Sequence, residues 1–252
     1  MHEDSPPPRR TAFVTGSTRG IGRAIAQRLA GDGFQVVLHG RTPPSSVTEL
    51  LASLPGEGHG FLAGDLADPE ASERLMAEVG KRVERLDVLV NNAAIAEEAS
   101  FLAPGLDTWR DTWRRTLRIN LEAPAELAFL AAAHMRGHGG KIIQIASRSA
   151  FRGETEYPAY AVSKAGMVNL TICLARALAK AQVYAYSVAP GFTDTEMGRA
   201  TLADRAAVLE SIPFGRMATP EEVAGVVAFL VRPEANYLSG ITIDVNGASY
   251  FR

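Results

Sequence analysis

The chain has one cysteine in 252 residues, so no intramolecular disulfide can form. That residue, Cys173, stands among Leu170, Ile172 and Leu174, a setting that reads as a buried core thiol rather than a nucleophile or a ligand. An excess of basic charge is also missing. The 26 Lys and Arg are scattered and are outnumbered by 28 Asp and Glu, which excludes the dense positive footprint of non-specific nucleic-acid binding. No uninterrupted apolar run approaches the roughly 18 residues that span a membrane. Residues 1–10 are polar with three consecutive prolines, and read as a disordered tail with no targeting signal. The expectation is a cytoplasmic protein with no nucleic-acid partner, no membrane association and no metal.

What is present is apolar mass. A hydrophobic share of 46% suffices for one sizeable core, and residues 11–252 read as a single domain. The stretch Thr15-Gly16-Ser17-Thr18-Arg19-Gly20-Ile21-Gly22 joins a β-like run at 12–14 to an amphipathic helix beginning near Gly20. A strand feeding a glycine-rich helix start is an anion cradle. Glycine lets backbone N–H groups approach a pyrophosphate, and the helix N-terminus adds free donors and the positive end of its dipole. Residues 16–22 are therefore the candidate phosphate-binding turn. The spacing is Gly-xxx-Gly-x-Gly rather than the Gly-x-Gly-x-x-Gly of the dinucleotide fingerprint, so these glycines alone leave a plain tight turn open.

A second apolar run, 34–39, ends about where dinucleotide folds place an acid on the adenosine ribose. Gly40 and Arg41 follow instead. A carboxylate would repel a 2′-phosphate and a guanidinium pairs with it, so NADP(H) is expected over NAD(H), with Arg19 as a second contact. The alternative is that Arg41 caps a solvated strand end. Residues 60–65 read as a third strand ending in Asp65, placed with Leu66 beside the adenine, and 69–85 as a helix with Asp68 at the N-cap and Pro69 at N1. A fourth strand, 86–90, runs into Asn91-Asn92-Ala93-Ala94, whose small residues let a cofactor pack close. Strands alternating with helices imply an α/β doubly wound parallel sheet with helices on both faces, and a ligand at the strands' carboxyl ends.

Residues 107–135 are helical in pattern, with a kink expected at Pro124 just after Asn120. A fifth strand, 141–146, ends at Ser147. The helix from about 158 to 181 carries Tyr160 and Lys164 four residues apart and so on one face. Tyrosine titrates near 10, too high for proton exchange at neutral pH, and a neighbouring ammonium would lower that value. An ordinary amphipathic Tyr and Lys pair is the alternative.

Taken together, TGSTRGIG, NNAA, Asn120, Ser147, YAVSK at 160–164 and PGFTDT at 190–195 resemble the short-chain dehydrogenase/reductase family in its single-domain form, in order over 11–247. The overall look is that of 3-oxoacyl-carrier-protein reductases. The resemblance implies a catalytic tetrad of Asn120, Ser147, Tyr160 and Lys164. Tyr160 would exchange a proton with the substrate oxygen and Ser147 would polarise that oxygen. Lys164 would lower the Tyr160 pKa and hold the nicotinamide ribose, and Asn120 would open its helix around a water leading to Lys164. Asn92 and Ala93 would flank the cofactor, and Pro190, Gly191, Thr193 and Thr195 would meet the nicotinamide carboxamide.

The substrate is then a small-molecule carbonyl or alcohol. Polyol or sugar dehydrogenation is the alternative chemistry, and a non-catalytic nucleotide-binding protein is the alternative class; intact Ser147, Tyr160 and Lys164 favour the enzyme. Ala94, Tyr186 and Asn246-Gly247-Ala248 depart from the family's usual residues. The segment 148–157, with Arg148, Arg152, Glu154 and Glu156, is more charged than an acyl-binding cleft requires, unless those charges only solvate a loop. The resemblance also implies a homotetramer. Helices apolar over more than one stripe at 121–135 and 168–178 fit that, as do the tail aromatics Tyr250 and Phe251, unless these fold back on their own chain.

Overall fold

The computed structural model describes residues 9–43, 45–200 and 205–252; the tail expected at 1–10 lies outside them as far as residue 8. Its centre is one all-parallel sheet of β1 (Thr11–Val14), β2 (Gln35–Gly40), β3 (Gly60–Ala63), β4 (Val88–Asn91), β5 (Gly140–Ile145), β6 (Val183–Pro190) and β7 (Thr242–Val245), in the order β3-β2-β1-β4-β5-β6-β7. The order reverses between β1 and β4, and the crevice at that switch point opens at the strands' carboxyl ends.

β1 is buried on both faces, as parallel strands covered by helices on each side must be. Alternate residues feed two cores. Ala12 and Val14 join Val36, Val90, Ile143 and Val188 under α1 (Gly20–Gly31) and α10 (Pro220–Leu230). Phe13 joins Leu89, Ile142 and Ala185 on the opposite face, beneath α3 (Ala71–Arg82), α5 (Ala123–His134) and α7 (Pro158–Leu178). α10 opens on a capping box, with Thr219 Oγ1 accepting from Glu222 N at 3.2 Å and Glu222 Oε2 accepting from Thr219 N at 2.8 Å. The remaining helices are α2 (Val47–Ala52), α4 (Leu106–Leu117), α6 (Ser149–Arg152), α8 (Glu196–Ala200) and α9 (Arg205–Glu210).

Several local expectations are corrected. α3 starts at Ala71, because Asp68 Oδ1 accepts from Glu70 N at 2.9 Å and spends its capping capacity on a turn ahead of the helix. Asp65 lies past the end of β3 and closes a turn by accepting from Ala67 N at 3.0 Å. The long helix is interrupted ahead of Pro124 rather than at it: Arg118–Glu122 forms a π-helical turn with Asn120 at its centre, and Pro124 sits in the first turn of α5. Cys173 is exposed. The face of α7 that meets the sheet carries Lys164, Met167 and Thr171, and Cys173 points away from it. The stretch Pro158–Ala181 is long and apolar enough by composition to cross a bilayer, but its inner face packs against the sheet. The two tail aromatics part company: Tyr250 folds back and donates its hydroxyl to Phe151 O at 3.1 Å, whereas Phe251 is exposed.

Candidate active site

The glycine turn is built by close approach. Gly16 has φ +62°, a conformation that favours glycine, and a Cβ there would stand 2.9 Å from Ala93 Cα. A Cβ on Gly22 would come within 2.3 Å of Gly16 O. Thr15 and Asn92 tie the turn to the end of β4: Thr15 Oγ1 accepts from Asn92 N at 3.0 Å and Ala93 N at 3.1 Å, and Asn92 Nδ2 donates to Gly16 O at 3.0 Å. Ser17 is buried behind the turn, where its hydroxyl accepts from His39 N at 2.9 Å.

His39, the last side chain of the apolar run in the sequence, completes this stitching. Its buried ring accepts from Gly16 N at Nδ1 (3.2 Å) and pairs Nε2 with Gly64 O (3.0 Å). Gly64 O can only accept, so Nε2 carries the proton and the ring is neutral. Burial pushes its pKa down to about 4. One polar residue inside the apolar run Val36-Val37-Leu38-His39 was the available signal.

The cleft at the carboxyl ends has a volume of about 650 Å³, within the range of ligand pockets. It brings together every predicted site residue except Ser17 and Asn120, which are buried behind its wall. Gly40 lets β2 end without a side chain: a Cβ there would press on Thr18 Cγ2 at 3.1 Å. Arg41 stands exposed on the rim, directly after the end of β2. Arg19, expected as a second contact to the cofactor phosphate, lines the cleft and pairs its guanidinium with Glu196 of α8 at 2.5 Å, across the cleft mouth. Thr193 is buried, and Thr195 Oγ1 accepts from Gly198 N at 2.9 Å, which fixes the start of α8.

At the other end of the cleft Ser147 follows β5 and meets Tyr160 from the first turn of α7. Burial holds the Tyr160 pKa above its ordinary value; the neighbouring Ser147 hydroxyl opposes that by favouring the phenolate, and Glu154 adds to the rise. Lys164 is 1% exposed and burial pushes it down to about 7. Its Nζ donates to Ile145 O at 2.7 Å and touches Met167 Sδ at 3.4 Å, 5.6 Å from the Tyr160 ring centre. The lowering of Tyr160 by Lys164 is therefore not what this geometry gives. Asn120 uses its side chain as a clamp, accepting from Ile95 N at 2.9 Å and donating to Ile95 O at 2.8 Å and Ser163 Oγ at 3.1 Å.

A half-buried tyrosine that holds its proton, beside a hydroxyl and at the end of a cleft that begins in a glycine-rich turn, is equipped to trade a proton with a carbonyl oxygen while hydride passes at the carbonyl carbon. Fold and site together define a nicotinamide-dependent oxidoreductase. Residues 16–248 match the family model described as enoyl-(acyl carrier protein) reductase. The chain belongs to the short-chain dehydrogenase/reductase family, whose enzymes act on CH–OH groups. It is 36% identical to the 3-oxoacyl-[acyl-carrier-protein] reductase of Aquifex aeolicus, over 96% of this chain and 97% of that one. Among solved structures it is similar to a short-chain dehydrogenase from Burkholderia cenocepacia in complex with NADP, with 33% identity, a TM-score of 0.87 and coverage of 96% and 97%. It is equally similar to a protein from Beutenbergia cavernae described as an NAD(P)-dependent gluconate 5-dehydrogenase with bound NADP, with 37% identity, a TM-score of 0.87 and coverage of 95% and 96%.

Proposed function

We propose that this protein interconverts a ketone and a secondary alcohol with NADP(H), and that a 3-oxoacyl thioester is one substrate class, as the names of its curated relatives suggest. The observation that carries the reading is the Ser147 and Tyr160 pair on the wall of the cofactor cleft. The cofactor fits the residues present: the glycine turn and the N-terminus of α1 suit its pyrophosphate, and Arg41 beside the side-chain-free Gly40 suits a 2′-phosphate. When bound, it supplies or accepts the hydride.

The chain's own residues do the rest. Tyr160, protonated at neutral pH because burial raises it, gives its proton to the carbonyl oxygen as the alcohol forms. Ser147 holds that oxygen. Lys164 would hold the nicotinamide ribose and resupply the proton that Tyr160 gives up, and the Asn120 clamp positions Ile95 against the cleft. Asp65 and Leu66 would hold the adenine, Asn92 and Ala93 would flank the cofactor, and Pro190, Gly191, Thr193 and Thr195 would meet its carboxamide.

A sugar or polyol acid is the second reading, favoured by the charged wall at Arg148 and Glu154. The protein is further proposed to act in the cytoplasm as a homotetramer. Phe129 on α5 is 73% exposed, and Val162 and Ile172 stand exposed on α7, surfaces suited to a second copy. The test is Tyr160→Phe. NADPH binding, followed by fluorescence, should persist while NADPH oxidation by ethyl acetoacetate falls about 100-fold or more; near-parental turnover removes Tyr160 from the reaction.

A further inference from the structure

Arg148 follows Ser147 directly and lines the cleft, yet only 5% of it is exposed. Its backbone N–H donates to Pro190 O at 3.0 Å, which fixes it between the ends of β5 and β6. The guanidinium lies 4.0 Å from the centre of the Phe192 ring, and Nη1 donates to Ser249 Oγ at 3.0 Å. A guanidinium has five N–H donors, and among the described residues this is its one side-chain hydrogen bond. No described carboxylate comes within ion-pair distance of it.

The contrast with Arg118 is direct. That side chain is also largely covered, and it is bracketed by Glu122 and Glu126. Burial and the charge of Arg152 push Arg148 down from its ordinary value, with Glu154 opposing. A buried cation without a counter-ion is unfavourable, and the arrangement is complete only when an anion enters the cleft. Phe192 and Ser249 hold the guanidinium plane in place, which suits the two-pronged pairing of arginine with a carboxylate. Glu154, on the same wall, accepts from Ser149 Oγ at 2.6 Å through Oε1 and keeps Oε2 for a second hydroxyl.

We infer that Arg148 is a specificity-determining residue that binds the carboxylate of an oxo-acid or hydroxy-acid substrate, with Glu154 accepting from a hydroxyl of the same molecule. The inference rests on the oxidoreductase reading above. It distinguishes substrates within that reading, since a neutral 3-oxoacyl thioester offers Arg148 nothing near its carbonyl.

A matched pair of ketones tests it, acetoacetate against its ethyl ester, with NADPH oxidation followed in the parent, Arg148→Gln and Arg148→Lys. The parent should favour the acid by about tenfold or more in kcat/KM, and Arg148→Gln should lower the acid about 30-fold more than the ester, chiefly through KM, with partial recovery in Arg148→Lys. A parent that prefers the ester, or equal losses for both ketones, overturns the inference. Malonate titrated calorimetrically into the protein with NADP+ gives a readout without turnover: binding weakened about tenfold or more in Arg148→Gln supports the site, and binding that is absent or unchanged overturns it. Malonate held through Arg148 in a protein that oxidises NADPH with neither ketone would keep the anion site and sink the hydride-transfer reading, so the two failures are distinct.

Discussion

Two lysines are buried in this molecule, at opposite ends of the sheet, and the difference between them separates a structural charge from a working one. Lys141, at the amino end of β5, is 9% exposed. Its Nζ donates to Tyr186 Oη and Arg232 O, each at 3.3 Å, and to Asn236 Oδ1, and it lies 4.5 Å from the Tyr184 ring centre and 5.5 Å from that of Tyr186. All three ammonium donors are used. Lys164, at the carboxyl end, has one oxygen acceptor and a thioether sulfur, a weak acceptor. Burial alone lowers Lys164 to about 7, and it is the largest influence on Lys141, which falls to about 8. Depth is thus not the distinguishing property; an unfinished set of partners is.

The largest expected effect breaks or confirms that distinction directly. Lys164→Met should cost about 100-fold to 1,000-fold in turnover, the scale of a lost proton-exchange partner, while leaving the fold intact, because few acceptors are orphaned. Lys141→Met should do the reverse. Turnover should stay within about threefold, and stability should fall by about 1–3 kcal/mol as Asn236 Oδ1, Tyr186 Oη and Arg232 O lose their donor. Steady-state rates and urea unfolding on both variants check this. A Lys141→Met enzyme as impaired as Lys164→Met would erase the comparison.

How much of this was legible depends on what sets each feature. The parallel sheet was readable because strands buried on both faces are nearly continuous apolar runs, and the helices between them have an unmistakable period. Tyr160 and Lys164 were readable because four residues make one helical turn. Features decided by tertiary partners were not. The position of the helix interruption depends on Asn120 clamping the Ile95 backbone, a contact across 25 residues, so the nearby Pro124 drew the expectation to itself. Cys173 was misread because its chain neighbours are apolar, whereas helical neighbours in space are three and four residues away. The charge at Arg148 was visible, but only the folded chain shows it without a counter-ion. Lys141 and His39 looked like strand residues, since their partners come from segments remote in sequence.

His39 sharpens the comparison, because it sits at the cleft end and yet, like Lys141, has every polar ring atom partnered. If complete partnering marks a structural group, its effect should appear in stability. Folded His39 resists protonation down to about 4, whereas the unfolded chain takes up the proton near 6.5. Its contribution is therefore fully present above about pH 6.5 and is lost as pH falls toward 4. The interval corresponds to about 3 kcal/mol. Unfolding free energies at pH 7 and 4.5 should show the parent losing about 2–3 kcal/mol more than His39→Gln, which has no such titration. Parallel losses would mean that the ring charges freely where it lies.

The smallest effect belongs to the titration of Lys141 itself. Its ammonium has neutral acceptors and two aromatic faces, which hold the charge less well than water does, so its pKa is about 8 where the unfolded chain has 10.5. Above about pH 10.5 the group is neutral in both states and imposes no penalty. As pH falls from 10.5 to about 8 the unfolded chain binds the proton first and stability is lost; below about 8 the penalty is constant. The side chain also borders a hollow of about 330 Å³, and water there and the charge of Glu234 soften the effect. Reduced by about half for that screening, the expected change is about 1–2 kcal/mol. The parent and Lys141→Met should therefore be compared at pH 7.5 and 10.5, where the shared titration of Lys164 cancels in the difference. Relative to the variant, the parent should gain stability at the higher pH. A gain in the opposite direction would show that the three oxygen acceptors and the tyrosine rings prefer the ammonium to the amine, and the two buried lysines would then differ in kind rather than in how completely they are partnered.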